Sequence, residues 1–317
     1  MYLRSKACKC RPMLLVLNFV LLCFICTSAS ANQTIHVFYP EVREPYNSIF
    51  NEIISGIEAA SAYKVSPHAV RSNEDLENYD SLFDEAIPGS TIVLGNVGKA
   101  LAATLAKPFP LVSGAVLLTD SDINAGITGI SLSPSPTKLF DMLQTLAPNV
   151  KIVSVVYHKE TNGWLVDIAA DYAKTLGITL ERFEATDVRE AAAEFKTVFE
   201  NHQGSSHAIW LLQGDPTLDE KGLLPDVLTQ AWKSGCVVFS SNPAHVKRGA
   251  LFSLFPDNYA MGKSLADMAD HLIKGNVAKP EPVSDLKIAV NVRTAEHLNL
   301  NISRSQERGF DLVFPSQ

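Results

Sequence analysis

The strongest constraint on this chain is an alternation that runs through most of its length. Short apolar runs give way to longer segments whose apolar residues fall at helical spacing. Thr34–Tyr39 (TIHVFY) predicts a buried strand. After Pro45, Ile49, Ile53 and Ile57 stand four apart with Phe50 and Ile54 beside them, one apolar helix face. Pro45 suits the first helical position. Tyr63–Val70, Thr91–Gly95 and Pro110–Val116 read as further strands with helical stretches between them, and Pro88-Gly89 punctuates the approach to Thr91.

A second series opens after Ser131-Leu-Ser-Pro-Ser-Pro136, with Leu139, Leu143 and Leu146 on one helix face. Strands are predicted at Lys151–Tyr157, Ile178–Glu184, His207–Leu212 and Cys236–Ser240. Helices are predicted near Trp164–Leu176, from Asp187 and near Leu223–Trp232. Glu190 follows Asp187 at the spacing of a capping box. A third segment adds a strand at Ala250–Phe255, then a helix with Met261, Leu265, Met268 and Leu272 on one face, closed by Gly275. A proline-containing connector, 275–282, leads to a last strand at Ile288–Val292. Strands alternating with helices mean βαβ units, mainly parallel sheets and an α/β fold. Two series of about four or five strands each predict two sheets rather than one very wide one.

The first 31 residues read as an export signal rather than as part of that fold. Arg4, Lys6, Lys9 and Arg11 make a basic start, Met13–Cys26 is mostly apolar, and Ala29-Ser30-Ala31 offers small residues for cleavage. An uncleaved anchor is the competing reading, but it would want about twenty apolar residues. Lipid attachment at Cys23 or Cys26 competes too, although Leu22 and Ile25 stand where a small residue is needed. Cleavage would leave Cys236 as the one thiol, so no disulfide framework is expected. It would also take the net charge from −7 to about −11. An acidic surface without a Lys/Arg block argues against nucleic acid and anionic membrane as partners. The remaining length suits two domains with separate cores.

Few catalytic signatures are present. Gly262-Lys263-Ser264 lacks the first glycine of a phosphate loop, since Asp257 stands in its place. No G-x-S-x-G elbow occurs, the eight histidines are scattered, and the first strand is followed by no dinucleotide fingerprint. Neither a metal nor another cofactor is expected. What remains is a set of polar residues at the predicted carboxyl ends of strands, the edge where open α/β sheets bind ligands. These are Asn96, Ser113, Tyr157, Asn162, Gln213, Asp215, Ser241 and Asn242. Asn, Asp and Ser at such places also cap helices and form turns, which is the competing account.

The chain resembles the ABC-transporter substrate-binding proteins of the periplasmic binding protein type I fold, in the group that includes tryptophan and tyrosine binders. The resemblance rests on Asn124-Ala-Gly-Ile-Thr128-Gly-Ile, Pro148-Asn-Val-Lys151-Ile-Val-Ser-Val-Val-Tyr157 and Val246-Lys-Arg-Gly249-Ala-Leu. It rests also on Asp257-Asn-Tyr259-Ala-Met-Gly262-Lys-Ser-Leu-Ala-Asp-Met-Ala269 and on Ala289-Val-Asn291-Val-Arg-Thr-Ala295-Glu-His-Leu298. It implies two Rossmann-like lobes with a cleft between them, three crossovers and a closing hinge. Lobe one would hold residues 32–130 and 243–282, and lobe two 131–242 and 283–317. Asp215 would face the ligand and pair with an ammonium, so Asp215→Ala is expected to weaken binding without unfolding the chain. Ser113, Ser241 and helix-start amides would receive a carboxylate.

The first loop departs from the family pattern, with Glu41-Val-Arg43-Glu-Pro-Tyr46 where relatives often have a His- or Asp-containing stretch. Glu41 and Tyr46 therefore join the candidate ligand contacts, Tyr46 by stacking on a planar ligand. Arg43 would meet an anion or form a surface ion pair with Glu41 or Glu44. The resemblance implies a monomeric periplasmic protein, not an enzyme, that hands a small molecule to an ABC permease in the inner membrane. An amino acid is the first expectation for that molecule. The alternative is a sensor on the same fold that signals to a membrane protein.

Overall fold

The computed structural model describes residues 33–71, 89–96 and 110–315. The predicted export segment and the predicted helical stretches before Thr91 and Pro110 lie outside the described residues. Two sheets form. The first takes β1 (Thr34–Pro40), β2 (Lys64–Val70), β3 (Ser90–Leu94), β4 (Leu111–Val116), β5 (Gly129–Pro134) and the late β11 (Glu281–Val283). Their spatial order is β11-β5-β4-β3-β1-β2, all parallel.

The second sheet takes β6 (Ile152–Tyr157), β7 (Thr179–Glu184), β8 (His207–Leu211), β9 (Val237–Ser240), β10 (Phe252–Pro256), β12 (Leu286–Asn291) and β13 (Leu312–Phe314). Its order is β13-β12-β10-β9-β8-β6-β7, and β10 with β12 is its antiparallel pair. Helices cover both faces of this sheet, which is why its strands read as unbroken apolar runs. Alternate β8 residues feed opposite cores. Ala208 and Trp210 join Phe140, Phe239 and Phe252 on one side, and Ile209 and Leu211 join Phe195, Leu224 and Val227 on the other. Phe140 meets both Trp210 and Phe239 edge-on, with centroids 6.0 and 5.9 Å away.

Nine helices of the described residues matter for position. In chain order they are α1 (Tyr46–Ala60), α2 (Asp120–Asn124), α3 (Pro136–Leu146), α4 (Lys159–Thr175) and α5 (Val188–Asn201). They continue with α6 (Leu223–Ser234), α7 (Pro243–Arg248), α8 (Asn258–Ile273) and α9 (Val292–His297). α8 lies against α1 in the core of the first lobe, where Ile53 and Ile57 meet Met261 and Leu265. Gly56 and Gly262 allow the contact, because a Cβ on either would stand 2.1 Å from a backbone oxygen of the other helix. Gly275, with φ 78°, follows the end of α8 in the left-handed cap its position predicts.

The chain passes between the sheets three times, from β5 to α3, from β10 to α8 and from β11 to β12. The crossings are tied together: Ser135 N donates to Val283 O at 2.8 Å and Asp257 N to Asp285 O at 2.9 Å. Asp257 also caps α8 through Ala260 N and pairs with Lys287 at 3.4 Å. The Ala260 hydrogen bond, with the lysine charge behind it, holds its carboxyl below the usual range.

Sheet membership differs from the expected lobe division. The expected boundary between residues 130 and 131 cuts through β5, Gly129–Pro134, which is wholly a strand of the first sheet. The segment 243–256, expected in lobe one, belongs to the second sheet, because β10 pairs with β9 on one side and β12 on the other. The connector 275–282 ends in β11, and β13 follows the last predicted strand. β11 and β13 have three residues each, too short for a period-two signal to register. The predicted capping box at Asp187 is also altered. Asp187 caps Arg189 and Glu190, but the Glu190 carboxylate reaches back to Thr186 N at 2.8 Å instead of Asp187 N.

Candidate functional site

Loops at the carboxyl ends of the two sheets meet. β4 ends irregularly: its register slips between Ser113 and Val116, and Ala115 adopts a left-handed φ of 52°. A bulge re-aims the residues that follow it, and here it carries Leu117 and Leu118 to the second lobe. The Trp164 indole, on α4, donates to Leu118 O at 3.1 Å, and Trp164 N donates to the Asp120 carboxylate at 3.1 Å. Opposite Leu117 lies Gly214, φ 67°, so close that a Cβ would stand 2.5 Å from a Leu117 methyl. Conformation and contact both call for glycine there.

A cavity of about 480 Å³ opens at this edge of the first sheet, lined in part by Val42, Tyr46, Phe50, Asn96, Ala115 and Leu117. That volume falls within the range of small-molecule sites, roughly 300–1,000 Å³. Tyr46 begins α1 and Phe50 follows about one turn later, so a single helix presents both rings to the cavity. Tyr46 is 63 % exposed, and Phe50 leans on Tyr39 with centroids 6.4 Å apart. Aliphatic and aromatic groups dominate this wall, so it suits a ligand with an apolar or planar body.

The facing wall is braced by Asp215. Its carboxylate is buried and accepts four hydrogen bonds from its own lobe. Oδ2 receives His158 N at 2.9 Å and Asn162 Nδ2 at 2.8 Å; Oδ1 receives Thr217 N at 2.9 Å and Thr217 Oγ1 at 2.6 Å. The acid expected to meet a ligand ammonium is thus saturated by the loops it holds. The negative end is local: a carboxylate gathers donors from two loops that would otherwise be left unpaired on burial.

Of the ten residues singled out in the sequence, Tyr46 and Asn96 line the cavity. Asn162 and Asp215 are bonded to each other, and half-buried Gln213 precedes the Gly214 contact. The others are committed elsewhere. Glu41 pairs with Arg71 at the end of β2. Ser113 is buried within β4, before the bulge. Tyr157 is buried, with its hydroxyl donating to Glu184 at 3.2 Å; burial, with the Glu184 charge beside it, pushes its pKa up to about 12. Ser241 is buried and accepts the Trp210 indole N–H at 3.1 Å. Asn242 caps α7 by accepting from Ala244 N at 3.0 Å. Arg43 is exposed, and its possible partners are taken, Glu41 by Arg71 and Glu44 by Ser48.

One line of groups has the residue types of a hydrolytic triad. Ser240 Oγ lies 2.7 Å from His245 Nδ1, and His245 Nε2 lies 2.8 Å from Glu220. Ser240 has no exposed surface, and its hydroxyl also donates to Leu211 O and accepts from Asn242 N. The line anchors α7 to the loop before α6. Among the described residues, no three His, Cys, Asp or Glu side chains are grouped to hold a metal, and no helix is long and apolar enough to cross a membrane.

Sequence reasoning missed Phe50, Leu117, Asp120 and Trp164. Phe50 carried a signal, as the next aromatic along the helix from Tyr46; the other three gain their role only where the two lobes meet.

Comparison with known proteins converges on one family. Residues 98–307 match the family described as ABC transporter substrate binding protein. No curated protein sequence matches the chain. Among solved structures, a domain from Streptococcus pneumonia in complex with L-Trp has 19 % identity and a TM-score of 0.50, covering 90 % of this chain and 100 % of its own. A conserved domain protein from Vibrio cholerae O1 biovar El Tor has 19 % identity and a TM-score of 0.52, covering 89 % and 99 %. The ligand-free, open form of a Clostridium difficile substrate binding protein with adhesive properties has 16 % identity and a TM-score of 0.62, covering 90 % and 100 %. These likenesses concern the fold, two mainly parallel sheets of the periplasmic binding protein type I arrangement. With the family match spanning well over half of its length, this chain belongs to the ABC transporter substrate-binding protein family.

Proposed function

We propose that this protein is the periplasmic receptor of an ABC importer, which closes its two lobes on a small ligand and presents it, chemically unchanged, to the permease in the inner membrane. The observation that carries the reading is the meeting of carboxyl-edge loops from both sheets beside a cavity of about 480 Å³. The three bonded crossings supply a place to bend. The basic and apolar start of the sequence supports export to the periplasm, with cleavage after residue 31 and a monomeric mature chain.

Tyr46, Phe50 and Asn96 on the first lobe, with Gln213 and the loops that Asp215 braces on the second, are the contacts we assign to the ligand. An amino acid remains the first candidate, supported by the L-Trp bound to the Streptococcus pneumonia relative. Its ammonium would need an acid other than Asp215. Asp120 stands at the junction of the lobes with one oxygen on Trp164 N. The test is a thermal-shift screen of residues 32–317 against amino acids, their deaminated and decarboxylated analogues, short peptides and organic acids. A ligand at a thousand times its dissociation constant adds roughly 4 kcal/mol, a rise of several degrees for a protein of this size. One saturable hit that is lost on Tyr46→Ala supports the reading. Hits that survive Tyr46→Ala and Phe50→Ala together would move the site off this cavity.

A further inference from the structure

At the opposite edge of the second sheet, where β9 and β10 begin, a groove of about 510 Å³ lies among Pro225, Leu228 and Trp232 of α6 and Arg248 at the end of α7. It is remote from the cleft, because the cleft lies at the carboxyl ends of the same strands. Trp232 is 39 % exposed yet held flat. The His297 imidazole, from α9, stacks on its indole at 3.6 Å and 7°, and His297 Nε2 bonds to Trp232 O at 2.9 Å. A large aromatic ring, rigid before any partner arrives, is the kind of group that anchors protein interfaces at low entropic cost.

The surroundings are cationic in a chain of net charge −7. Lys233 and Arg293 are exposed and form no ion pair among the described residues, while Arg248 pairs with Glu220 at 3.0 Å. The guanidinium of Arg293 lies 6.0 Å from the Trp232 ring centre. It occupies the first turn of α9, the helix end that disfavours a positive charge. Glu296 is the acid that α9 sets against it. Lys233 sits in the last turn of α6, where it eases the dipole; Arg293 sits at a helix start, where the Trp232 ring holds its guanidinium beside the groove.

We propose that this groove docks an acidic segment of a partner protein, with an apolar side chain against the Trp232 indole and carboxylates at Lys233 and Arg293. Charge complementarity selects that partner over a nucleic acid or an anionic membrane. An extended polyanion feels the net negative charge of the whole chain, whereas a short segment reads charges within about 8 Å at physiological salt.

The experiment pans a random peptide library displayed on phage against residues 32–317, with Trp232→Ala as counter-selection. The expected winners carry Asp and Glu around one aromatic or large aliphatic residue. A selected peptide should bind the Lys233→Glu/Arg293→Glu variant at least about tenfold more weakly, and bind wild type more weakly as salt rises. Both changed residues are exposed, and an unchanged unfolding midpoint of that variant shows that the fold is intact. Winners without acidic bias, or equal affinity for the charge-reversed variant, would overturn the proposal. So would capture by phosphatidylserine vesicles that the charge reversal abolishes, because the face would then be a membrane contact.

Discussion

Gly56→Ala should damage this protein far more than one methyl group suggests. Helix propensity alone favours alanine by about 1 kcal/mol. The structure predicts the opposite sign, because the new Cβ would stand 2.1 Å from Tyr259 O and 3.1 Å from the Gly262 Cα on α8. A carbon–oxygen contact settles no closer than about 3.3 Å, so α1 and α8 must part by roughly 1 Å. The obstruction is backbone, which cannot rotate aside like a side chain. Overpacking of this kind costs about 1–3 kcal/mol, occasionally more, and parting the helices also loosens Ile53, Ile57, Met261 and Leu265 around the crossing. A net loss of about 2 kcal/mol is expected, read as a lower midpoint in urea unfolding at unchanged slope. Gly262→Ala should cost as much, since its Cβ would meet Ile53 O at 2.1 Å. The double variant should cost less than both together, because the gap opened for one methyl serves the other. As α1 carries Tyr46 and Phe50 to the cavity, ligand affinity should fall with stability. A Gly56→Ala protein as stable as wild type would refute the close crossing.

Two further perturbations test the second lobe. His207, buried between Ser154 Oγ at 2.9 Å and Cys236 Sγ at 3.5 Å, has its pKa lowered by burial to about 4. The unfolded chain takes up this proton near 6.5 and the folded chain resists it. Stability is therefore complete above 6.5 and falls by up to about 3 kcal/mol as the pH drops to about 4. Burial lowers His36 and His68 as well, so the measurement is the difference in acid sensitivity between wild type and His207→Gln; parallel curves would show that His207 does not carry the effect. Asp215→Ala would leave His158 N, Asn162 Nδ2 and both Thr217 donors without their acceptor. A loss of about 2–4 kcal/mol is expected, in place of the purely functional effect predicted from the sequence, and an unchanged unfolding midpoint would return Asp215 to the ligand.

What the sequence determined by itself is what periodicity encodes. The short, unbroken apolar run HAIWLL read as a strand, and the spacing of Ile53 and Ile57 read as one inward helix face. The α/β class and the two sheets follow from such local patterns, and so do single positions such as Gly275 beyond α8. Strand partnership does not. Ala250–Phe255 reads the same whether it joins the first sheet or the second, and the choice depends on pairing with Val237–Ser240 and Leu286–Asn291, which only the assembled sheet supplies.

The site divides in the same way. Asn96 was singled out because a strand's carboxyl end is a general place for ligands, and Tyr46 because the first loop departs from the family pattern; the structure places both in the cavity wall. The type of residue did not tell which polar groups would be used up inside. Asp215, Ser241 and Asn242 look alike in sequence to free ligand contacts, but each is bonded to its own lobe. Leu117, Asp120 and Trp164 carry no signal at all, since they meet across the junction of the lobes. Hydrogen-bond partners and contacts between segments far apart along the chain exist only in the folded arrangement, so no local pattern encodes them.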